Sequence, residues 1–318
     1  MKLSNGINYQ FSKAHLLLLS KFLYPRKKDY YGKINEWLDV LHQPSEEAIE
    51  TLLEEGLLRE ASLQEKIDCQ FYLNELKSML KEKKLPTSGK KALLIERLIT
   101  ADESGMKSLV GGESILICSE KGRLIAEEYL EREHTFRQNT EQIVLNYLLN
   151  GNYPEAIGAV ISFEAKQVFQ RGMGIDWKNY NSKSDENILQ FIFSNTPKIL
   201  NEYSREEIEI LRPAAAMMYL WGTNIAKNWI PIDFPTSHRY DADTAARMIL
   251  FHALTLNSIY RYKEWGYKSV EILTTHDSCE NCKRHSGKIF DINSIIELPN
   301  PECTHPYGCR CDIFPKFS

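Results

Sequence analysis

The chain has 318 residues, of which 43% are hydrophobic and 26% charged, with a formal charge of −4. That length allows two or three domains, each with its own core. The charge excludes whole-molecule attraction to nucleic acid, so any basic surface has to be local. No apolar run reaches the ~20 residues of a membrane span; the best stretch, Ala214 to Ile232, is interrupted by Asn224, Lys227 and Asn228. The leucine run Leu16 to Leu19 is short and has no small-residue cleavage site after it, so the expectation is a cytoplasmic protein.

Ser12 is placed to cap a helix reaching about Leu23, where Leu16, Leu19, Phe22 and Leu23 recur at helical spacing and Pro25 stops the run. A second helix is expected from Tyr31 to His42, and a third opens at Pro44-Ser45 and closes at Gly56. Ser114 to Cys118 reads as a strand and Glu120-Lys121-Gly122 as a turn into a helix from Arg123 to Glu133. Three helices, then a strand and a glycine turn, suggest a winged-helix-like region over 1–133 carrying an insertion. Its third helix bears Glu46, Glu47, Glu50, Glu54 and Glu55 and no lysine or arginine. Five carboxylates repel phosphates, so this helix reads as a solvated or protein-docking face and not as a DNA reader.

The insertion has the opposite character. In Leu73 to Thr100, Leu73, Leu76, Leu80 and Leu85 line one helix and Leu93, Leu94, Ile95 and Leu98 a second. Pro86-Thr87-Ser88-Gly89 forces the turn between them, with Gly89 free to take a positive φ. From Glu75 to Arg97 the net charge is +4, inside a chain of −4. This segment, over 73–100, closely resembles a SAP domain, a helix-extended-helix module. The resemblance implies binding to double-stranded DNA, for which Lys77, Lys81, Lys84, Gly89, Lys90, Lys91 and Arg97 are the candidates. Gly89-Lys90-Lys91 opens the second helix, where free backbone amides suit a phosphate and fix position without reading bases. A plain helical hairpin with a solvated lysine face is the alternative.

The middle, 134–242, reads as a helical domain with little chemistry. Helices are expected at Thr140 to Leu149, ended by Gly151, and at Pro154 to Phe169, closed by Arg171-Gly172-Met173-Gly174. Ser204 and Glu207 have capping-box spacing for a helix kinked or restarted at Pro213 and continuing to Ile230, with Met217, Met218, Trp221 and Trp229 as core. The Gly172/Gly174 pair lacks the strand-then-helix setting of a nucleotide loop. Asp241 and Asp243 precede a helix from Thr244 to Trp265 and read as caps before they read as a carboxylate pair.

Five of the seven cysteines crowd into the last segment, 243–318: Cys279, Cys282, Cys303, Cys309 and Cys311, with His276, His285 and His305 among them. Two short-range pairs of thiolate or imidazole ligands are what a tetrahedral zinc ion requires. Cys279-x-x-Cys282 is the first pair. The second has to come from Cys303, His305, Cys309 and Cys311; Cys309 and Cys311 are preferred because they share a face in extended chain, with His305 in reserve. Disulfides or uncoordinated thiols are the other readings. Such a cysteine-rich set closes its coordination shell, so the Zn2+ is expected to staple a small module with short strands, whose apolar residues Ile289, Phe290, Ile292, Ile295, Ile296 and Leu298 are too few to hold it.

From Asp243 to about Pro315 the chain also resembles the C-terminal part of phage head morphogenesis proteins, the Mu F-like minor head proteins. The resemblance is carried by Ala246-Arg247, Asn257, Tyr262-Lys263-Glu264-Trp265-Gly266, Asp277, Cys279, Cys282, Gly287, His305-Pro306 and Cys309-Arg310-Cys311. One residue more than the family's pattern separates Pro306 from Cys309. It implies phage capsid or portal proteins as partners and a bacterial, phage-infected or virion-associated setting. The expected architecture is therefore mainly α and multidomain. Three functions remain: a DNA-associated binding protein of phage or prophage type, a structural head-assembly protein, and a metal-dependent nuclease or toxin using Arg247, His252 and Asp277. No H-E-x-x-H and no H-x-E with P-C-x-x-C occurs to support the third.

Overall fold

The computed structural model describes residues 11–31, 36–172, 175–223, 225–235 and 238–316. They are mainly helical and fall into two units, Met1–Phe136 and Arg137–Ser318. No helix among them is long and apolar enough to cross a membrane.

In the first unit Ser12 caps α1 (Lys13–Ser20), which tightens into a 3-10 turn at Lys21–Leu23. The short strand β1 (Arg26–Lys27) follows, then α2 (Glu36–Leu41) and α3 (Ser45–Glu54). Of the helix expected from Tyr31, residues 32–35 lie outside the described set. Gly56 ends α3 with φ +68°, a conformation that costs glycine nothing. Strands β2 (Leu58–Glu60) and β3 (Ile115–Cys118) then pair antiparallel, Leu58 opposite Cys118 and Glu60 opposite Leu116, with β1 on the other side of β3. The two arms of one hairpin are thus adjacent in space although the chain between them runs through an entire helical module.

That module has four helices: α4 (Leu63–Gln70), α5 (Leu73–Glu82), α6 (Lys91–Ala101) and α7 (Glu103–Val110). They enclose a core of Ile67, Leu76, Leu80, Leu94, Ile95, Leu98, Met106 and Val110. Leu73 and Leu93, expected inside, are exposed. The flanking helices α4 and α7 supply Ile67, Met106 and Val110, so the two-helix segment read from the sequence is too short to close its own core. Their starts are marked locally: Ser62 and Glu65 form a capping box, and Asp102 accepts from the Gly105 amide at 2.8 Å.

The expected turn at Gly122 and the break near His134 are both corrected. A single helix, α8 (Glu120–Leu149), runs through them. Gly122 lies inside it, where a Cβ would stand 1.9 Å from the Leu57 carbonyl oxygen. Glycine is required there by close approach to the chain entering β2. Gly122→Ala would raise helix propensity by roughly 1 kcal/mol at an open site. Here a backbone oxygen has to move, and overpacking of about 1–3 kcal/mol wins. Urea unfolding of the variant is expected to show a lower midpoint, and an unchanged or higher one would disprove the contact.

The second unit begins its own helices with α9 (Tyr153–Glu164), shorter than the expected run to Phe169, and α10 (Lys183–Ser194), which sequence reading missed. The α11 helix (Arg205–Trp221) has the capping box of Ser204 and Glu207 and carries Pro213 inside it. It stops eight residues short of Trp229 and does not reach Ile230, because Gly222 takes the left-handed conformation at φ +57°. Trp229 is consequently half-buried, whereas Met217, Met218 and Trp221 are buried. Arg212, buried on α11, donates to the carbonyls of Ile192 and of Asn195 (2.8 Å) and to Thr196 Oγ1 (2.9 Å), closing the C-terminus of α10. Asp241 caps α12 (Ala242–Glu264) through the Thr244 amide at 2.7 Å, while Asp243 accepts from the Ala226 amide at 2.5 Å. Helices α10 and α11 both pack on α12.

The chain ends in a three-stranded antiparallel sheet in the order β5-β4-β6, with β4 (Ser269–Leu273) central between β5 (Ile289–Asp291) and β6 (Asp312–Lys316). Val270, Ile272, Ile292, Leu298 and Ile313 form its small core. The cysteine-bearing loops connect these strands.

Candidate metal centre and nucleic-acid interface

Strand β4 delivers the chain to a tight turn in which the Thr275 amide bonds Ser278 Oγ at 3.0 Å, and one helical turn, α13 (Glu280–Lys283), follows. Cys279 is its N-cap and Cys282 lies within it, so both sulfurs are presented from one turn. Cys303 arrives from the far side through a turn closed by its own amide on the Asn300 carbonyl at 3.0 Å. Cys309 follows Gly308, which has φ +78° and where a Cβ would meet Met248 Cε at 2.6 Å and Thr244 Cγ2 at 3.1 Å. The missing side chain at Gly308 is therefore what lets the loop approach α12 closely.

Two groups of thiols result: Cys279, Cys282 and Cys303, and Cys282, Cys309 and Cys311, with the sulfurs of each group within 4.8 Å of one another. All seven cysteines are free thiols. The Cys279 and Cys303 sulfurs are 3.7 Å apart and those of Cys282 and Cys309 3.8 Å. A tetrahedral ion bound at about 2.3 Å by four thiolates sets sulfurs about 3.8 Å apart, the separation seen here. This cluster is capable of coordinating a metal ion.

Its surroundings favour thiolates. The Thr304 amide donates to Cys279 Sγ at 3.2 Å, the Asn300 amide to Cys309 Sγ at 3.3 Å, and Asn300 Nδ2 approaches Cys282 Sγ at 3.7 Å. Burial works against ionisation of Cys279, but the hydrogen bonds from Thr304 and Cys282 outweigh it and bring the thiol down to about 6. Cys309 is pulled down by donation from Cys282, Cys303 and Cys311, and Cys282 is pushed up by its bonds to Cys303, Cys309 and Cys311. Crowded sulfurs without a cation have to share protons. The loops are anchored to the helices by Arg239 Nη2 and the Tyr240 hydroxyl, which donate to the Cys303 carbonyl at 2.6 and 3.2 Å, and by the Cys309 amide on Met248 Sδ at 3.3 Å.

His305 stands outside both thiol groups. Its Nδ1 accepts from the Tyr307 amide at 3.2 Å, and its Nε2 is 3.2 Å from Arg310 Nη2. Arg310 also pairs closely with Asp277, whose carboxyl it holds well below the usual range, with help from Thr275. In the sequence Cys303 stands behind Cys309 and Cys311, which share a face in extended chain, and behind His305; the structure brings it to Cys279 instead. The Asn300-Pro301 pair just ahead of it was the available turn signal. Of the other residues considered for catalysis, His252 is buried with Nδ1 2.7 Å from the Leu298 carbonyl, and Arg247 Nε is buried without a hydrogen-bond partner.

The basic candidates divide by what already holds them. Lys91 Nζ binds Asp68 through its carboxylate at 3.0 Å and its carbonyl at 2.5 Å. Arg97 Nη1 reaches the carbonyls of Pro86 (3.0 Å) and Ser88 (2.5 Å), fastening the loop between α5 and α6. The side chains of Lys77, Lys81, Lys84 and Lys90 enter no hydrogen bond or ion pair among the described residues; Lys77 is half-buried and the other three are exposed. Gly89 has φ +122°, and Lys90 caps α6 without a side-chain hydrogen bond, leaving first-turn amides open.

Compared with known families, residues 70–103 match the SAP domain, a span that takes in α5 and α6 and reaches only the ends of α4 and α7. No curated protein matches the chain. No solved structure matches it either. The protein thus carries a SAP domain inserted in a hairpin of its first unit and a metal-capable cysteine cluster in its second.

Proposed function

We propose that this is a DNA-associated binding protein of phage or prophage type, which grips the duplex backbone through its SAP domain and holds its C-terminal module together with zinc. The observation that carries the first half is the family match at 70–103, on which four lysines stand without internal partners. Lys84 and Lys90 flank the loop into α6, whose open amides suit a phosphate. Lys91 and Arg97 act one step back, by fixing that loop. The three-helix, three-strand arrangement around the insertion is compatible with a winged-helix scaffold whose acidic α3 faces away from DNA or toward a protein.

Zinc suits the donor set: sulfur donors only, two sulfur pairs (Cys279–Cys303 and Cys282–Cys309) at the separation of a tetrahedral edge, and N–H donors to the sulfurs. We assign Cys279, Cys282, Cys303 and Cys309 as ligands and leave Cys311, which packs against the core of the sheet, as an accessory thiol. The ion would supply cross-linking and charge neutralisation. A head-assembly role is a second reading, favoured by one feature: Asp277, Cys279, Cys282, Cys309 and Arg310, all part of the head-protein resemblance, converge at one site. Co-sedimentation with procapsids would favour it.

Fluorescence anisotropy of labelled duplex at two salt concentrations tests the DNA reading. Affinity is expected to fall steeply with salt. Lys84→Ala with Lys90→Ala is expected to weaken binding equally on unrelated sequences and to reduce the salt slope by about 2. No binding at low salt would sink the proposal.

A further inference from the structure

A cavity of about 340 Å³ opens in the second unit between α9, α10, α11 and the residues Arg171, Ile175, Trp177 and Tyr180. Its size is at the lower end of the roughly 300–1,000 Å³ typical of small-molecule sites. Ile157, Val160, Ile161 and Leu220 make one side apolar, and Trp177 and Tyr180, stacked with centroids 5.1 Å apart, supply aromatic faces on another.

The charges in this pocket do not balance. Arg171 is spoken for: it pairs with the buried Glu164 at 3.3 Å and donates to the Leu220 carbonyl at 2.6 Å. Its guanidinium lies 5.3 Å from the Trp177 ring centre and against Gly222, where a Cβ would come within 2.5 Å of Nη1. Asp185 also lines the cavity, is only 6% exposed, and has no cation of its own in a salt bridge among the described residues. The Tyr219 hydroxyl donates to it, which orients the carboxyl group without neutralising it. Burial raises its pKa, and the nearby Arg171 offsets that only in part.

We propose that this cavity is a binding site for a small organic ammonium compound with an apolar or aromatic body, its cation held by Asp185 and its body packed against the apolar and aromatic lining. A buried carboxylate without an ion-pair partner attracts a cation through its charge, and the aromatic rings of the lining add to that attraction. A neutral ligand of the same shape would gain only the apolar contacts. The site is independent of the DNA and metal readings.

The test is isothermal titration calorimetry of the full chain with phenethylammonium chloride and, separately, phenethyl alcohol. The ammonium is expected to bind about tenfold or more tightly than the alcohol, and Asp185→Asn to remove that preference. Ile161→Trp, which fills the cavity from its apolar side and leaves the carboxylate alone, is expected to abolish binding of both, and it serves if the Asp185 variant fails to fold. Equal affinity for the two probes, no heat from either, or unchanged binding by Ile161→Trp would overturn the assignment.

Discussion

Cys282→Ser is expected to release the metal ion and unfold the chain from about Ser269 onward, while the SAP domain stays folded. Cys282 is 2% exposed and belongs to both thiol groups, so its loss breaks every arrangement in which the cluster can hold an ion. Structural zinc contributes on the order of 10–16 kcal/mol of apparent binding free energy in small zinc-dependent peptides. The sheet has only Val270, Ile272, Ile292, Leu298 and Ile313 fully inside, each worth about 1.5–3 kcal/mol before the entropy of ordering its long loops is subtracted. On the proposed zinc reading, the metal contribution would therefore decide whether this module folds. Elemental analysis should find about one equivalent of zinc in the native protein and none in the variant. Amide exchange should lose protection over 269–316 and keep it over 62–110.

The companion variants separate the ligands. Cys303→Ser is expected to lose zinc, and Cys311→Ser to retain it. The reverse outcome would restore the set Cys279, Cys282, Cys309 and Cys311, and zinc retained by Cys282→Ser would remove the metal assignment altogether. A substitution in the anchoring shell, such as Arg239→Ala, should leave the metal in place, because Tyr240 still donates to the Cys303 carbonyl.

What could be read from the chain alone was local chemistry. The capping boxes and N-caps at Ser204 and Asp241, the glycine stop at Gly56, the strand at Ile115 and the C-x-x-C turn each depend on a few consecutive residues, and each is formed as those residues dictate. Long-range features were hidden. Gly122 looked like a turn because its reason for being glycine, the Leu57 carbonyl, is far away in sequence. Leu73 and Leu93 looked like core because helical spacing does not say which side the neighbouring helices α4 and α7 will cover. Cys303 was undervalued because only the folded loops, tied down by Arg239 and Tyr240, bring it to Cys279. The proposed ammonium pocket had no sequence signature, since its lining is drawn from four separate segments and its carboxylate, Asp185, lies in the first turn of a helix where an acidic residue is unremarked.

The placement of the SAP domain between two paired strands leads to the second large effect. Ala61 donates its amide to the Ile115 carbonyl at 2.8 Å, so the chain leaves and re-enters the sheet at adjacent positions. Replacing residues 62–114 by Asn-Gly would join the strands through a two-residue turn of the kind antiparallel pairs favour. The module has its own core, and what it shares with the remainder of its unit is mainly polar: Lys27 with Glu113 at 2.6 Å, Cys69 Sγ on the Pro25 carbonyl at 3.2 Å, and Lys66 with Glu60 at 3.2 Å. Exposed pairs of this sort contribute about 0–1 kcal/mol each, too little to decide whether the rest folds. The shortened chain is expected to fold cooperatively, to retain its zinc, and to lose salt-dependent duplex binding completely. Binding that survives the excision would move the DNA contact to another surface, and a shortened chain that fails to fold would mean that the insertion stabilises the sheet it interrupts.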